Sequence, residues 1–145
     1  MPVDVFLAIC QGIGLSIAAA LVIAGPPLDR VKVAAAVFAG VAGAALASIS
    51  LNEETSTWWP GIPIGFAVGW FAFTVLASVR EGAVKRANDA GGSIFAIFTV
   101  GGAVLGALSI FVEPVGLAAL LALAYLAATR RAKEQTKYEG LRTLR

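Results

Sequence analysis

Residues 61–86 read GIPIGFAVGWFAFTVLASVREGAVKR, and the change of character inside this stretch decides the fold. From Gly61 to Val79 no side chain is charged; Arg80, Glu81, Lys85 and Arg86 then follow in quick succession. A run of about 20 apolar residues is long enough to cross a hydrocarbon core of about 30 Å at about 1.5 Å per residue. The charged flank marks where such a helix leaves the membrane. Gly61, Gly65 and Gly69 recur at four-residue spacing, so they share one helix face and let another backbone come close. Pro63 falls in the first turn, where its missing amide donor is tolerated.

Working outward, the same pattern recurs on both sides. A first span is expected over about Val5 to Ala24, ended by Gly25-Pro26-Pro27, because proline lacks a donor and restricts the residue before it. Asp29, Arg30 and Lys32 lead into a second span, about Val33 to Leu51, in which Ala36, Gly40, Ala44 and Ser48 share one face. After the polar stretch Asn52 to Thr57 come Trp58, Trp59 and Pro60, an aromatic pair of the kind that sits at the headgroup level. Beyond the third span, a loop from Arg80 to Gly92 is expected, then a fourth span over about Ser93 to Val112 carrying Gly102 and Gly106. Glu113 and Pro114 form a tight break before a fifth span, about Val115 to Thr129. That last span is only about 22 Å long by helical rise, so Arg130 and Arg131 must snorkel or the bilayer must thin.

Composition agrees with this count. At 59% hydrophobic and 14% charged residues the chain is far more apolar than a soluble domain, which excludes a soluble fold and predicts an all-α, polytopic five-helix transmembrane bundle. Histidine is absent and Cys10 is the only cysteine, so no disulfide forms within a chain, no metal cluster has enough ligands, and no cofactor is expected. The net charge of +2 comes from loops and tail, and nucleic-acid binding is not indicated. Met1 to Leu7 carries only Asp4, unlike a cleaved signal peptide with its basic start, so the first segment is read as retained.

Charge placement tests the span count independently. Short cytoplasmic loops carry an excess of lysine and arginine. Five spans place Arg30 and Lys32, then Arg80, Lys85 and Arg86, then Arg130, Arg131, Lys133, Lys137, Arg142 and Arg145 on one side, which accounts for all 11 basic residues. The other side receives Asp4, Glu53, Glu54 and Glu113. The N-terminus is therefore expected outside, and residues 130–145 form a basic cytoplasmic tail.

Small-residue faces are the strongest local signal. Gly40 and Ala44 on the second span, Gly61, Gly65 and Gly69 on the third, and Gly102 and Gly106 on the fourth are the candidate helix-packing residues, serving either packing within the chain or a homo-oligomer. Five short helices do not surround a pore alone, so conduction requires the oligomer. No ionisable residue falls inside any span, which disfavours a proton-coupled transporter. Without an acid pair, or a nucleophile with its base, the chain is not expected to be an enzyme. Among polar residues at depth, Gln11 has the largest hydrogen-bonding demand and is the candidate solute contact, its plainer role being an interhelical bond; Cys10 beside it reads as a small packing residue. The tail, with six basic and two acidic side chains, is suited to lie on anionic lipid or simply to fix topology. Phe6, Gly12 and Ala18 also match Phe95, Gly101 and Ala107 at an offset of 89, the pattern an inverted repeat would leave.

Three motifs together carry a family likeness: Trp58-Trp59-Pro60-Gly61, Glu113-Pro114-Val115-Gly116-Leu117, and the terminal Lys137-Tyr138-Glu139-Gly140-Leu141-Arg142-Thr143-Leu144-Arg145. Over roughly Gly40 to Arg145 the chain resembles an uncharacterised bacterial family of small multi-span proteins, domain of unknown function four-one-two-six. The first span departs from it, since Ala18 to Leu21 lacks the arginine that ends the family's first helix. The resemblance implies a bacterial inner (plasma) membrane location and no reaction, and its patterned tail implies a cytoplasmic contact through Tyr138 and Arg142. Two functions are expected to compete: facilitated movement of a small or lipid-like solute by a homo-oligomer, and a non-catalytic scaffold or accessory subunit bound to another membrane protein. Membrane lipid is a partner in either.

Overall fold

The computed structural model describes residues 2–27, 29–87, 91–112 and 114–142, with side chains from Val3 as far as Thr136. Five helices follow in order: α1 (Pro2–Ala24), α2 (Lys32–Thr55), α3 (Gly61–Ala87), α4 (Gly91–Phe111) and α5 (Val115–Arg142). Each is long and apolar enough to cross a membrane, and no strand occurs among the described residues, so the protein is an all-α polytopic membrane bundle. The breaks have local causes. Gly25 closes α1, its amide donating to Val22 O at 3.3 Å before the two prolines. Ser56 ends α2 in the left-handed region at φ 53°, its amide donating to Asn52 O at 3.1 Å. Trp58 and Trp59 accept from Gly61 and Ile62 at 3.1 and 3.3 Å, turning the chain straight into α3.

Two stretches depart from the expected boundaries. The stretch Arg80 to Ala87, read as the start of a loop, is the last part of α3. Lys85 and Arg86 lie in its final turn, where cations complement the exposed carbonyls, and Arg86 Nε donates to Gly82 O at 2.9 Å. Likewise α5 does not end at Thr129 but runs to Arg142. Alanine, lysine, glutamate, glutamine and arginine dominate its second half, and all favour helix. The charged ends are thus helical extensions of the spans, which fixes the faces on which Arg86, Arg130 and Lys133 lie.

Helix α1 is the centre of the bundle. It packs against all four others, and Cys10, Ser16, Ile17 and Ala20 on it are fully or almost fully buried. Helices α2 and α3 form the closest pair, and the two glycine-rich faces read from the sequence interlock there. A side chain on Gly65 would meet the Gly43 carbonyl carbon at 2.6 Å and Ala44 Cα at 2.8 Å. One on Gly61 would meet Ser48 Cα at 2.6 Å, and one on Gly69 would approach Gly40 Cα at 3.3 Å. Gly40 in turn lies under the Phe66 ring. In lipid, where hydrophobicity does not drive helices together, such close backbone contact supplies the attraction. Ser16 Oγ ties α1 to this pair: it lies 2.7 Å from Gly12 O and 3.1 Å from Gly43 O, offering one proton to carbonyls of both helices.

On the other flank, α4 and α5 each lean on α1 and barely touch one another. Gly102 faces Val22 and Ala18, and Gly116 sits against Gly14, whose backbone nitrogen would be 2.7 Å from an added Cβ. Gly106 has no such need, since its added Cβ would rest at an ordinary 3.5 Å from Ala18 Cβ. Half of the α1 span is buried but only 11% of the α5 span. The α1–α2 and α4–α5 hairpins therefore pack quite differently despite the sequence matches at an offset of 89.

Candidate functional site

The basic residues gather at one end of the bundle, the end formed by the C-termini of α1 and α3, the start of α2 and the outer part of α5. Two of them are spent on structure. Arg80 Nε donates to Gly25 O at 2.8 Å, closing the C-terminus of α1 from α3. Lys32 pairs with Glu81, the one ion pair between described residues that this end contains, and it is about half exposed. A shallow hollow beside them, lined by Asp29, Lys32, Arg80, Glu81 and Lys85, thus carries compensating charges.

Between α3 and α5 the balance differs. A cleft of about 600 Å³ opens there. Its membrane-side wall is apolar, from Phe71 and Val75 on α3 and Leu126 and Ala127 on α5. Its outer part is formed by Arg86, Arg130, Arg131 and Lys133, against which Glu134 is the only acid. The α3 contribution follows from helical spacing: Phe71, Val75, Ser78, Gly82 and Arg86 lie three or four residues apart and so share one face. On α5, Leu126, Arg130 and Lys133 do the same.

Hydrogen bonds hold two of the cleft's cations in place. Ser78 Oγ donates to Val75 O at 2.7 Å and accepts from Arg130 Nη1 at 3.0 Å. Arg86 is held back along its own helix by the bond from Nε to Gly82 O. Both guanidinium groups thereby turn Nη2 toward Gly82: the point where a Gly82 Cβ would lie is 3.4 Å from Arg86 Nη2 and 3.6 Å from Arg130 Nη2. Neither guanidinium meets a carboxylate among the described residues. An arginine fork unsatisfied by protein is suited to a carboxylate or phosphate brought from outside.

The residues singled out from the sequence fall elsewhere. Gly40, Ala44, Gly61, Gly65 and Gly69 form the α2–α3 contact, and Gly102 the α1–α4 contact. Gln11 is half-buried on α1, in the half remote from the basic cleft, and lines none of the clefts described here. The side chains of Tyr138 and Arg142 lie outside the described residues. Sequence reading missed Ser78, Gly82 and the convergence of Arg86 with Arg130, because ending α3 at Val79 removes the face that aligns them. The available signal was the continuous spacing of three or four residues from Phe71 to Arg86. It also missed Gly14 and Gly116, isolated glycines without a stripe.

No protein-family model, curated protein or solved structure matches this chain, so its function is argued from its own residues.

Proposed function

We propose that the protein is a non-catalytic membrane component that takes up an anionic, lipid-like solute from the bilayer into the cleft between α3 and α5. The observation that carries this reading is the cleft's division: an apolar wall of Phe71, Val75, Leu126 and Ala127 below a mouth of three arginines and a lysine opposed by one glutamate. An amphiphile with a negative head and an apolar chain matches both halves. Basic hollows between spans on the cytoplasmic side are suited to acidic headgroups, each nearby cation contributing about 1 kcal/mol. The excess of lysine and arginine at this end supports a cytoplasmic placement with the N-terminus outside, and the family resemblance supports a bacterial inner membrane.

The packing argues for uptake along the surface of α3 and α5 rather than through the bundle. Buried α1 side chains occupy the middle, and both small-residue faces that could have joined neighbouring copies are spent on the α2–α3 contact. A homo-oligomer would have to use the outward faces of the helices, of which those of α4 and α5 are the barest. Those same faces favour a second reading, an accessory subunit that docks α5 on another membrane protein, because α5 is the least buried of the spans.

Native mass spectrometry of the protein extracted gently from its own membrane separates the two. A reproducible anionic lipid retained by the wild type and lost from an Arg130→Ala, Arg131→Ala variant supports uptake. A stoichiometric protein companion, with lipid content unchanged by those substitutions, supports the accessory role and contradicts the first reading.

A further inference from the structure

We infer that the cleft's ligand is a lipid ending in a phosphomonoester, its phosphate seated over Gly82 between the guanidinium groups of Arg86 and Arg130. The inference rests on the amphiphile-binding reading above and adds the headgroup. Three features of the site carry it.

The first is the juxtaposition of donors. Each arginine anchors one nitrogen on α3, Arg86 Nε on Gly82 O and Arg130 Nη1 on Ser78 Oγ, and each leaves Nη2 facing the same point above Gly82. The glycine has no side chain to occupy that point. A phosphate oxygen resting outward of that point, in contact with the bare glycine, faces both forks.

The second is the number of acceptors. Two guanidinium groups and the nearby cations Arg131 and Lys133 present more donors than the two free oxygens of a phosphodiester can fully engage. A phosphomonoester offers three free oxygens and about −1.5 to −2 charges at neutral pH, against the single charge of a diester. With four cations and one carboxylate around the cleft, the more highly charged head is the better complement.

The third is the extent of the apolar wall. From Gly82 back to Phe71 the helix covers about 16 Å, enough to accompany the upper part of an acyl or prenyl chain into the membrane. A free anion would leave that wall unused. Elsewhere the molecule offers less: the hollow at Lys32 and Glu81 is internally paired, and the Trp70 and Phe73 groove on the other side of α3 has an apolar lining and ends on that same pair.

The test is a titration of the purified full-length protein with dioleoyl phosphatidate, phosphatidylglycerol and phosphatidylcholine, with bound lipid counted by native mass spectrometry. Phosphatidate is expected to bind about tenfold tighter than phosphatidylglycerol, and both tighter than phosphatidylcholine. Arg86→Lys with Arg130→Lys keeps the charge but removes the forks, and is expected to cut the phosphatidate to phosphatidylglycerol ratio severalfold, leaving only the part that charge alone supplies. Gly82→Leu fills the seat and is expected to weaken phosphatidate about tenfold. Affinity for phosphatidate is expected to rise from pH 5 to pH 7.5 as its second proton, with a pKa of about 6, is lost, while phosphatidylglycerol stays flat. Should Gly82→Leu fail to fold, the lysine pair and the pH profile decide.

Equal binding of the two anionic lipids, both above phosphatidylcholine, overturns the phosphomonoester seat and leaves the amphiphile reading standing. No preference over phosphatidylcholine overturns both. An undiminished ratio in the lysine pair overturns the seat, and displacement of phosphatidate by an equal concentration of inorganic phosphate overturns the assignment to a lipid.

Discussion

Gly82 and Gly116 illustrate two opposite uses of the same residue. An added Cβ on Gly116 would collide with the backbone of Gly14 and with the Cys10 carbonyl, whereas above Gly82 the neighbours are only the ends of two arginines. Gly116→Ala is therefore expected to separate α5 from α1 and lower the unfolding temperature in detergent, while Gly106→Ala, which meets nothing closer than Ala18 Cβ at 3.5 Å, is tolerated. Alanine in a helix is favoured over glycine by about 1 kcal/mol, so Gly106→Ala should even gain slightly. Thermal unfolding of the two variants side by side checks this, and equal losses would contradict it. Ser109 sets a second residue-scale test. Its Oγ is wholly buried and has no hydrogen-bond partner among the described residues, so it carries a desolvation cost without return. Ser109→Ala is expected to raise the unfolding temperature, and a fall would mean that the hydroxyl is satisfied in the membrane. The Lys32–Glu81 pair, exposed on both sides, is expected to contribute less than about 1 kcal/mol, so Glu81→Gln should leave stability nearly unchanged.

At the scale of elements, the α2–α3 pair is the most closely packed part of the molecule. Its contact is made of backbone on backbone, Gly65 on Gly43 and Gly61 on Ser48, so a side chain cannot be accommodated by a rotamer change. Overpacking a well-filled core costs about 1–3 kcal/mol, and obstruction by backbone exceeds that range, so Gly65→Leu is expected to abolish a stable α2–α3 hairpin. Survival of the variant with wild-type unfolding behaviour would refute the contact. This pairing was legible in the sequence as two faces of small residues at four-residue spacing, although the spacing left open whether they meet each other or another copy. The five spans were legible for a similar reason, since apolar runs and prolines are local signals. The cleft was not. Its residues belong to two helices far apart in the chain, and they align only because α3 and α5 continue as helices past Val79 and Thr129. Charge was taken as the end of each span, whereas helix propensity and favourable cations at the C-terminus carry α3 on for two more turns.

For the whole molecule, the arrangement is asymmetric in two senses. One end holds Asp4, Glu53, Glu54 and the Trp58–Trp59 pair, and the other holds the basic residues of α3 and α5. In a background with Cys10→Ser, a cysteine at Thr57 is expected to react with an impermeant maleimide on intact cells, and one at Ala87 only after the membrane is opened; the reverse order would invert the topology. The second asymmetry is packing, with α1 enclosed and α5 almost bare. With α5 so little buried, a membrane-borne ligand would reach the proposed α3–α5 cleft without crossing protein.

Photocrosslinking tests that location most directly. A photoreactive residue is placed at Phe71 inside the cleft and, separately, at Ile97, which is 68% exposed on α4, and the lipid adducts from living membranes are compared. Adducts at Phe71 should be enriched in anionic lipid relative to the bulk membrane, while those at Ile97 match the bulk. The same lipid composition at both positions would contradict a selective cleft between α3 and α5.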